Sequence, residues 1–331
     1  MESASDREAS ALGPPAGILA VEEEPGLSED QWRRLLKSLA AGRCTPFLGA
    51  GASAEWIRPA ADIAQAWALS AAYPLTDPTD LRKVSQYLSV SEGPDEPRER
   101  MARECGVKRP KYRDTDLYSV LAGLRISVYL TTNYDSLLAY ALEAVGKKPV
   151  RQICRWNGML EREDVRSDYK PSEEEPLVFH LHGHCETPES MVLTEDDYLD
   201  FLVRLTEEQD LLPPAVQRAV TRGCMLFLGY SLSDWNFQVV YRLFKKQIPI
   251  GQQPSHVSVQ LNPLPGGVRR EVRQRARDYL NRYFSQQQVF IYWGTCEKFA
   301  LELRSRWERF LAAEHSANDA PGMSASRFGT Q

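Results

Sequence analysis

The chain has 331 residues, 43% hydrophobic and 26% charged, which is ordinary for a water-soluble globular protein and enough for one large α/β domain or two smaller ones. A net charge of −5 argues against direct binding of nucleic acid or an anionic membrane through the overall field of the protein. The six cysteines (Cys44, Cys105, Cys154, Cys185, Cys224 and Cys296) include no C-x-x-C pair, which disfavours a structural zinc module and suits a reducing cytoplasm.

No apolar run has the length needed to span a bilayer, and the first twenty residues carry Glu2, Asp6 and Glu8 instead of the apolar stretch of an export signal. Residues 1–27, rich in Ala, Ser, Glu, Pro and Gly and without periodicity, read as a disordered leader, and 314–331 as a matching tail. Between them, 28–313 read as one folded domain. Ser28 with Gln31 three positions on forms a capping-box pattern, and Trp32, Leu35, Leu36 and Leu39 mark one face of a first helix. Residues 45–48 read as a buried strand entering Gly49-Ala50-Gly51-Ala52-Ser53.

A helical insert is expected over about 59–120. Its helices fall near 59–72 and 81–88, and a charged stretch at 91–113 suggests a lid or insert. The β-branched run 126–132 is a second strand leading into Asn133-Tyr134-Asp135, followed by a helix to about Val145. Residues 150–154 form a further candidate strand and 157–175 a charged loop. A strand at 177–181 runs into His182-Gly183-His184. Helices are expected at 195–205 and 214–221, then the most apolar strand, 224–228, which enters Gly229-Tyr230-Ser231. Ser233 or Asp234 can cap a helix to about Lys245. A strand at 256–261, a helix at 271–284, a strand at 289–293 and a helix at 297–311 complete the order. The arginines in 98–103 and 269–282 are mostly interleaved with acids and read as solvated helix faces.

Recurrent strand, turn and helix with apolar strands predict an α/β fold: a Rossmann-like, mostly parallel sheet with helices on both faces, plus the helical insert. Ligands of such sheets bind at the carboxyl ends of the strands, so the polar clusters at those ends are expected to converge. The pattern Gly49-x-Gly51-x-Ser53 suits a phosphate-binding turn, and equally a plain strand-to-helix turn. It is neither G-x-G-x-x-G nor a P-loop. Asn133 and Asp135 stand where either a helix cap or a ligand contact belongs. Gly229 and Ser231 repeat the strand-to-glycine-to-serine design.

Three of the five histidines, His180, His182 and His184, lie within five positions. Alternation along an extended segment would place all three on one face, as a metal site would need. Gly183, however, is expected to bend the chain, and no carboxylate-histidine motif completes such a site. A single proton acceptor, His182, is the favoured reading, with His180 structural and His184 in the pocket or at the surface.

Taken in order, Gly49-Ala50-Gly51-Ala52-Ser53, Thr132-Asn133-Tyr134-Asp135, His182-Gly183 and Gly229-Tyr230-Ser231-Leu232 resemble the sirtuin superfamily, and most closely its divergent bacterial branch of NAD-hydrolysing defence proteins. The resemblance covers about 30–310, with Asn262 standing where the family has its nucleoside-binding asparagine. It implies NAD at the switch point of the sheet, held by Gly49, Ala50, Gly51, Ser53, Thr132, Asp135, Gly229, Ser231 and Asn262, with Asn133 and His182 catalytic and no metal. Two departures separate the chain from protein-deacylating sirtuins. Ala54-Glu55-Trp56-Ile57-Arg58-Pro59 replaces their Gly-Ile-Pro-Asp-Phe-Arg, and their paired C-x-x-C motifs are missing.

The expected activity is therefore hydrolysis of the nicotinamide–ribose bond of NAD, depleting NAD in abortive infection against phage. The alternatives are an NAD- or ADP-ribose-sensing module without turnover and an NAD-dependent deacylase. A cytoplasmic NAD hydrolase needs restraint, so a homo-oligomer or a separate sensor, such as an ATPase or an Argonaute-like protein, is expected as partner.

Overall fold

The computed structural model describes residues 26–158, 160, 169–208, 211–231, 235–246, 254–264 and 268–318. The leader through residue 25, the tail from 319, the charged loop at 161–168 and the capping positions Ser233 and Asp234 lie outside the described residues.

The first helix, α1 (Glu29–Ala40), starts as its sequence dictates. Ser28 is extended (φ −66°, ψ 159°), its hydroxyl accepts from the Gln31 amide, and the Gln31 side chain accepts from the Ser28 amide at 2.8 Å. The apolar face then buries Trp32, Leu35, Leu36 and Leu39.

Seven strands form one sheet: β1 (Cys44–Leu48), β2 (Val128–Thr131), β3 (Val150–Ile153), β4 (Leu177–His180), β5 (Cys224–Leu228), β6 (His256–Gln260) and β7 (Val289–Trp293). Their order is β3-β4-β2-β1-β5-β6-β7, and every neighbouring pair is parallel. From β1 the chain first builds outward through β2, then crosses back to add β5, β6 and β7 on the other side. The reversal therefore falls between β1 and β5, the point where doubly wound sheets open a crevice. Every residue of β1, β2, β4 and β5 is buried, which is why these strands read as continuous apolar runs without alternation.

One face of the sheet packs on α1, α5 (Leu117–Ala122), α6 (Leu137–Ala144) and α11 (Cys296–Asn318). There Trp32 stacks on Phe299 at 5.5 Å and meets Tyr292 edge-on. The other face packs on α7 (Glu195–Glu207), α8 (Pro214–Arg222), α9 (Trp235–Lys246) and α10 (Arg270–Ser285), around Phe47, Phe179, Phe201 and Phe227. The last helix continues to Asn318, beyond the expected end at 311 and the domain boundary at 313, because Ala312 and Ala313 favour helix and no Gly or Pro interrupts the run.

The insert forms α2 (Ala60–Ser70), α3 (Leu81–Ser91) and α4 (Glu96–Cys105), which share a third core of Ile63, Trp67, Val84, Leu88 and Met101 with Met191 and Leu193. Part of the charged stretch expected as a lid or insert is thus a packed helix. Arg98 on α4 pairs with Asp197 on α7 at 2.6 Å, with both side chains at most 14% exposed. Asp197 also accepts from the Leu193 and Thr194 amides, so the pair is supported by further hydrogen bonds and ties the insert to the sheet.

Candidate active site

The turns after β1 and β5 lie against each other. Leu48 and Leu228 are register partners; beyond them the Gly49 N–H donates to Leu228 O (2.9 Å) and the Gly51 N–H to Gly229 O (3.0 Å). Gly229 has φ +74°, and a Cβ there would lie 2.2 Å from Ala52 N. A Cβ on Gly51 would lie 2.9 Å from Gly229 Cα, and one on Gly49 2.9 Å from Gly229 O. Contact between the two turns therefore excludes a side chain at all three positions. Within Gly49–Ser53 the Ala50 N–H has no hydrogen-bond partner among the described residues; the other four amides are engaged inside the fold.

The end of β2 supplies a polar cross-brace. Thr131 Oγ1 accepts from the Asn133 N–H (2.9 Å) and donates to Leu48 O (3.2 Å). Asn133 Nδ2 donates to Gly49 O (3.0 Å) and to Ser53 Oγ (2.9 Å). Ser53 Oγ donates to Asp135 Oδ2 (2.9 Å), so at its 2.8 Å contact with Tyr118 the tyrosine is the donor. The Ser53 hydroxyl is thereby saturated: one proton given, two accepted. Asp135 is 5% exposed. Burial pushes its carboxyl up from the usual range, opposed by hydrogen bonds from the Leu137 N–H and Ser53. Thr132 Oγ1 and Tyr230 OH meet at 2.5 Å, and Tyr230 OH donates to Leu48 O (3.1 Å). Tyr118 is the one member of this network that the sequence did not mark. It sits in an apolar helical run whose hydroxyl has no sequence signature.

The three histidines take unequal places. His180, 2% exposed, donates its Nδ1–H to Asn133 O (3.0 Å) and so fixes the backbone of the Asn133 turn. Burial, then His184 nearby, lowers its pKa to about 3. His184, expected in the pocket or at the surface, is instead buried at 4% exposure behind the turn. Its Nδ1 accepts from the Glu186 N–H (3.1 Å) and its Nε2 contacts Ser136 Oγ (3.0 Å). Gly183 separates His184 from His182 with φ +85°, and a Cβ there would lie 2.1 Å from Ser190 O. His182 packs its ring edge-on to Tyr198 (5.3 Å) and Phe201 (5.0 Å) and makes no side-chain hydrogen bond among the described residues. Burial alone lowers its pKa to about 3, so the ring is neutral at pH 7. No group of three His, Cys, Asp or Glu side chains arranged to hold a metal ion occurs among the described residues.

These groups converge on a cleft of about 260 Å³ at the carboxyl ends of β1, β2 and β5. Its floor is Ala50, Ser53, Thr132, Asn133, Asp135, His182, Gly229 and Ser231; its cover is Arg58, Ile63, Met101 and Tyr198. Gly49 and Gly51 do not line the cleft and stand behind Ala50, packed on Gly229. Asn262 is not in the lining; its Oδ1 faces the Leu264 N–H at 3.5 Å. Arg58 was visible in the sequence only as part of the segment that departs from the deacylase pattern. Arg58 is part of the lining, and its guanidinium is paired with Glu104 through both Nε and a terminal nitrogen.

A parallel sheet with its polar strand ends gathered at the point of reversal defines a Rossmann-like α/β protein with a nucleotide-type crevice. Residues 127–286 match the family model described as a SIR2-like domain, from just before β2 through α10, which leaves the Gly49–Ser53 turn outside the match. The chain is homologous to proteins named NAD(+) hydrolase ThsA. With that of Acinetobacter baumannii (strain 532279) it is 27% identical over 216 residues, 62% of this chain and 40% of the relative. With that of Cytobacillus dafuensis it is 27% identical over 229 residues, 66% of this chain and 41% of the relative. With that of Bacillus cereus (strain MSX-D12) it is 29% identical over 126 residues, 38% and 24%. The chain thus spans about two fifths or less of the length of these curated relatives.

Proposed function

We propose that the cleft binds NAD and hydrolyses its nicotinamide–ribose bond. The observation that carries this reading is His182. Unlike His180 and His184, its ring has no hydrogen-bond partner among the described residues, and it lines the cleft in the neutral form. The name NAD(+) hydrolase borne by the relatives supports the same substrate.

In this mechanism the C–N bond breaks with its electron pair passing to the pyridinium nitrogen, which leaves neutral nicotinamide. A water oxygen bonds to the ribose C1′, giving ADP-ribose, and the proton of that water passes to His182 and on to solvent. Asn133 has both amide hydrogens committed to Gly49 O and Ser53 Oγ, so its Oδ1 is the atom that orients the water or a ribose hydroxyl. Asp135 holds the turn and the ribose pocket through Ser53 and Leu137. The open Ala50 N–H suits the diphosphate, with Arg58, paired to Glu104, in the lining of the same cleft. Gly229 and Ser231 border the adenosine side, and Thr132 adjoins the ribose.

Physiologically, we assign the activity to depletion of NAD in the bacterial cytoplasm as an anti-phage, abortive-infection response, restrained by homo-oligomer assembly or by a separate sensor of the ATPase or Argonaute class. Among the described residues no helix is long and apolar enough to cross a membrane.

The test compares nicotinamide release from NAD by wild-type and His182→Ala protein of equal helicity. A loss on the order of 10² to 10⁴ is expected for removal of a positioned base. Equal rates overturn the assignment. A rate that rises only when an acyl-lysine peptide is added selects deacylation instead.

A further inference from the structure

The amino ends of the strands, opposite the cleft, carry a second pair of concavities. One, of about 210 Å³, is lined by Arg43, Thr45, Ser127, Arg218 and Arg222 among others, between β1, β2 and α8. The other, of about 330 Å³, lies between α1 and the starts of β5, β6 and β7, with Lys37, Pro254 and Phe290 in its wall. Arg43 and Arg222 border both. A five-residue strand separates this end from the cleft by roughly 16 Å.

The chemistry here is one-sided. In a chain of net charge −5, neither cavity has an Asp or Glu among the described residues of its wall. Lys37, Arg43, Arg218 and Arg222 are exposed, and none makes an ion pair or side-chain hydrogen bond among the described residues. Thr45 is 4% exposed and lines the first cavity, and its hydroxyl likewise has no partner among the described residues. Lys37 and Arg222 lie in the last turns of α1 and α8, where a cation complements the helix dipole. That accounts for neither Arg43, nor Arg218, nor the unengaged hydroxyl of a buried threonine.

We propose that this end of the sheet is a second ligand site, built for a nucleotide. Its phosphates lie against Arg43, Arg218 and Arg222 with the Thr45 hydroxyl, and its base lies on the partly exposed Pro254 and Phe290. The site is independent of the reading of the cleft. It is also joined to the cleft through the β1–β5 pair. The Cys224 N–H donates to Arg43 O (2.8 Å) at this end, and the Gly49 N–H donates to Leu228 O (2.9 Å) at the other. A ligand that draws Arg43 and Arg222 together acts on the strands whose far ends are the stacked glycine turns.

Photolabelling with 8-azido-ADP, followed by peptide mapping, tests the proposal. Label is expected on peptides containing Arg43–Thr45 or Pro254–Val257, apart from any label on cleft peptides containing Tyr134 or Tyr198. The Arg43→Gln/Arg222→Gln double variant, altered only at exposed side chains, is expected to keep the wild-type melting temperature and the cleft label, and to lose the amino-end label at least tenfold. Label confined to the cleft, or an amino-end label indifferent to the double variant, overturns the site. Displacement of that label by a 20-base-pair DNA duplex in preference to unlabelled ADP overturns the nucleotide and makes the surface a nucleic-acid contact.

Discussion

Replacing Gly229 by alanine tests the structural claim on which the cleft depends, that the two strand-end turns are held in direct backbone contact. Two costs add. A non-glycine residue at φ +74° costs about 1–2 kcal/mol. The new Cβ would sit 2.2 Å from Ala52 N and 2.8 Å from Gly49 O, so backbone must move, and overpacking of this kind costs about 1–3 kcal/mol. The sum, about 2–5 kcal/mol, is less than the stability of most domains, so the variant folds with its turns pushed apart. At about 2–4 °C per kcal/mol for a domain of this size, melting is expected roughly 4–20 °C below wild type. Gly42 supplies the internal control: its φ is +61° and nothing lies within 4 Å of a Cβ built there, so Gly42→Ala carries the first cost without the second. Differential scanning calorimetry of the two variants, with nicotinamide release measured in parallel, isolates the contact. Gly229→Ala is expected to lose turnover at least a hundredfold and Gly42→Ala to keep it. Equal melting temperatures for the two variants, with turnover retained in both, would refute the stacked-turn reasoning.

Other predictions concern pH and the network behind the cleft. Burial lowers His180 and His182 to about 3 and His184 and His256 to about 4, from an ordinary 6.5. Below pH 6.5 the unfolded chain binds more protons than the folded one, so stability is full above 6.5 and falls as the pH drops toward 4. By pH 5 the loss is about 2 kcal/mol per histidine, with about 8 kcal/mol as the upper bound for all four. Urea midpoints that do not change between pH 7 and 5 would contradict this. The same neutrality of His182 predicts that kcat/KM for NAD shows no acid limb near 6.5, and a limb there in the wild type that vanishes in His182→Gln would show the ring to be charged in solution. Ser53→Ala leaves the donors of Asn133 and Tyr118 and the acceptor of Asp135 each short of a partner. It is expected to cost about 1–3 kcal/mol in urea unfolding and to disable turnover; a shift below 0.5 kcal/mol would show that the network is not coupled through that hydroxyl.

The architecture was legible in the sequence because buried parallel strands leave unbroken apolar runs, and cap residues mark the helix starts. Ser28 with Gln31, and the runs that became β1 and β5, needed nothing beyond their own residues. The site was legible where it sits on strand ends: Ser53, Thr132, Asn133, Asp135, His182, Gly229 and Ser231 all reach one cleft. What sequence could not supply was distance across the chain. Tyr118 reaches Ser53 from 65 positions away, and Arg58 and Met101 reach the cleft because the insert folds back over it. Asn262 follows β6, one strand beyond β5, which bounds the cleft; a position just past a strand end fixes the edge of the sheet on which a residue falls but not how far along that edge it reaches. The need for glycine at 49 and 51 was also legible, but its cause differs. A phosphate-binding turn and a turn packed on another turn ask for the same residue, and only the approach of Gly229 distinguishes them.

A base with a pKa near 3 is weak, and the proposed reaction tolerates that for a physical reason. Loss of nicotinamide leaves positive charge on the ribose, so the electrophile is strong and the attacking water needs little help before bond formation is well advanced. The water becomes acidic only as its oxygen bonds to C1′, and a neutral, desolvated imidazole then takes the proton without having carried charge in the resting site. A charged His182 would do the opposite: it would repel the nicotinamidium ring on binding and have no lone pair for the water. Burial against Tyr198 and Phe201 therefore sets the protonation state the chemistry requires, at the expense of base strength. Replacing Phe201 by serine, which wets one side of the ring, separates these effects. It is expected to raise the pKa of His182 toward 6.5 in ¹⁵N-detected titration and to bring an acid limb into kcat/KM. A raised pKa with an unchanged pH profile would show that His182 does not receive the proton.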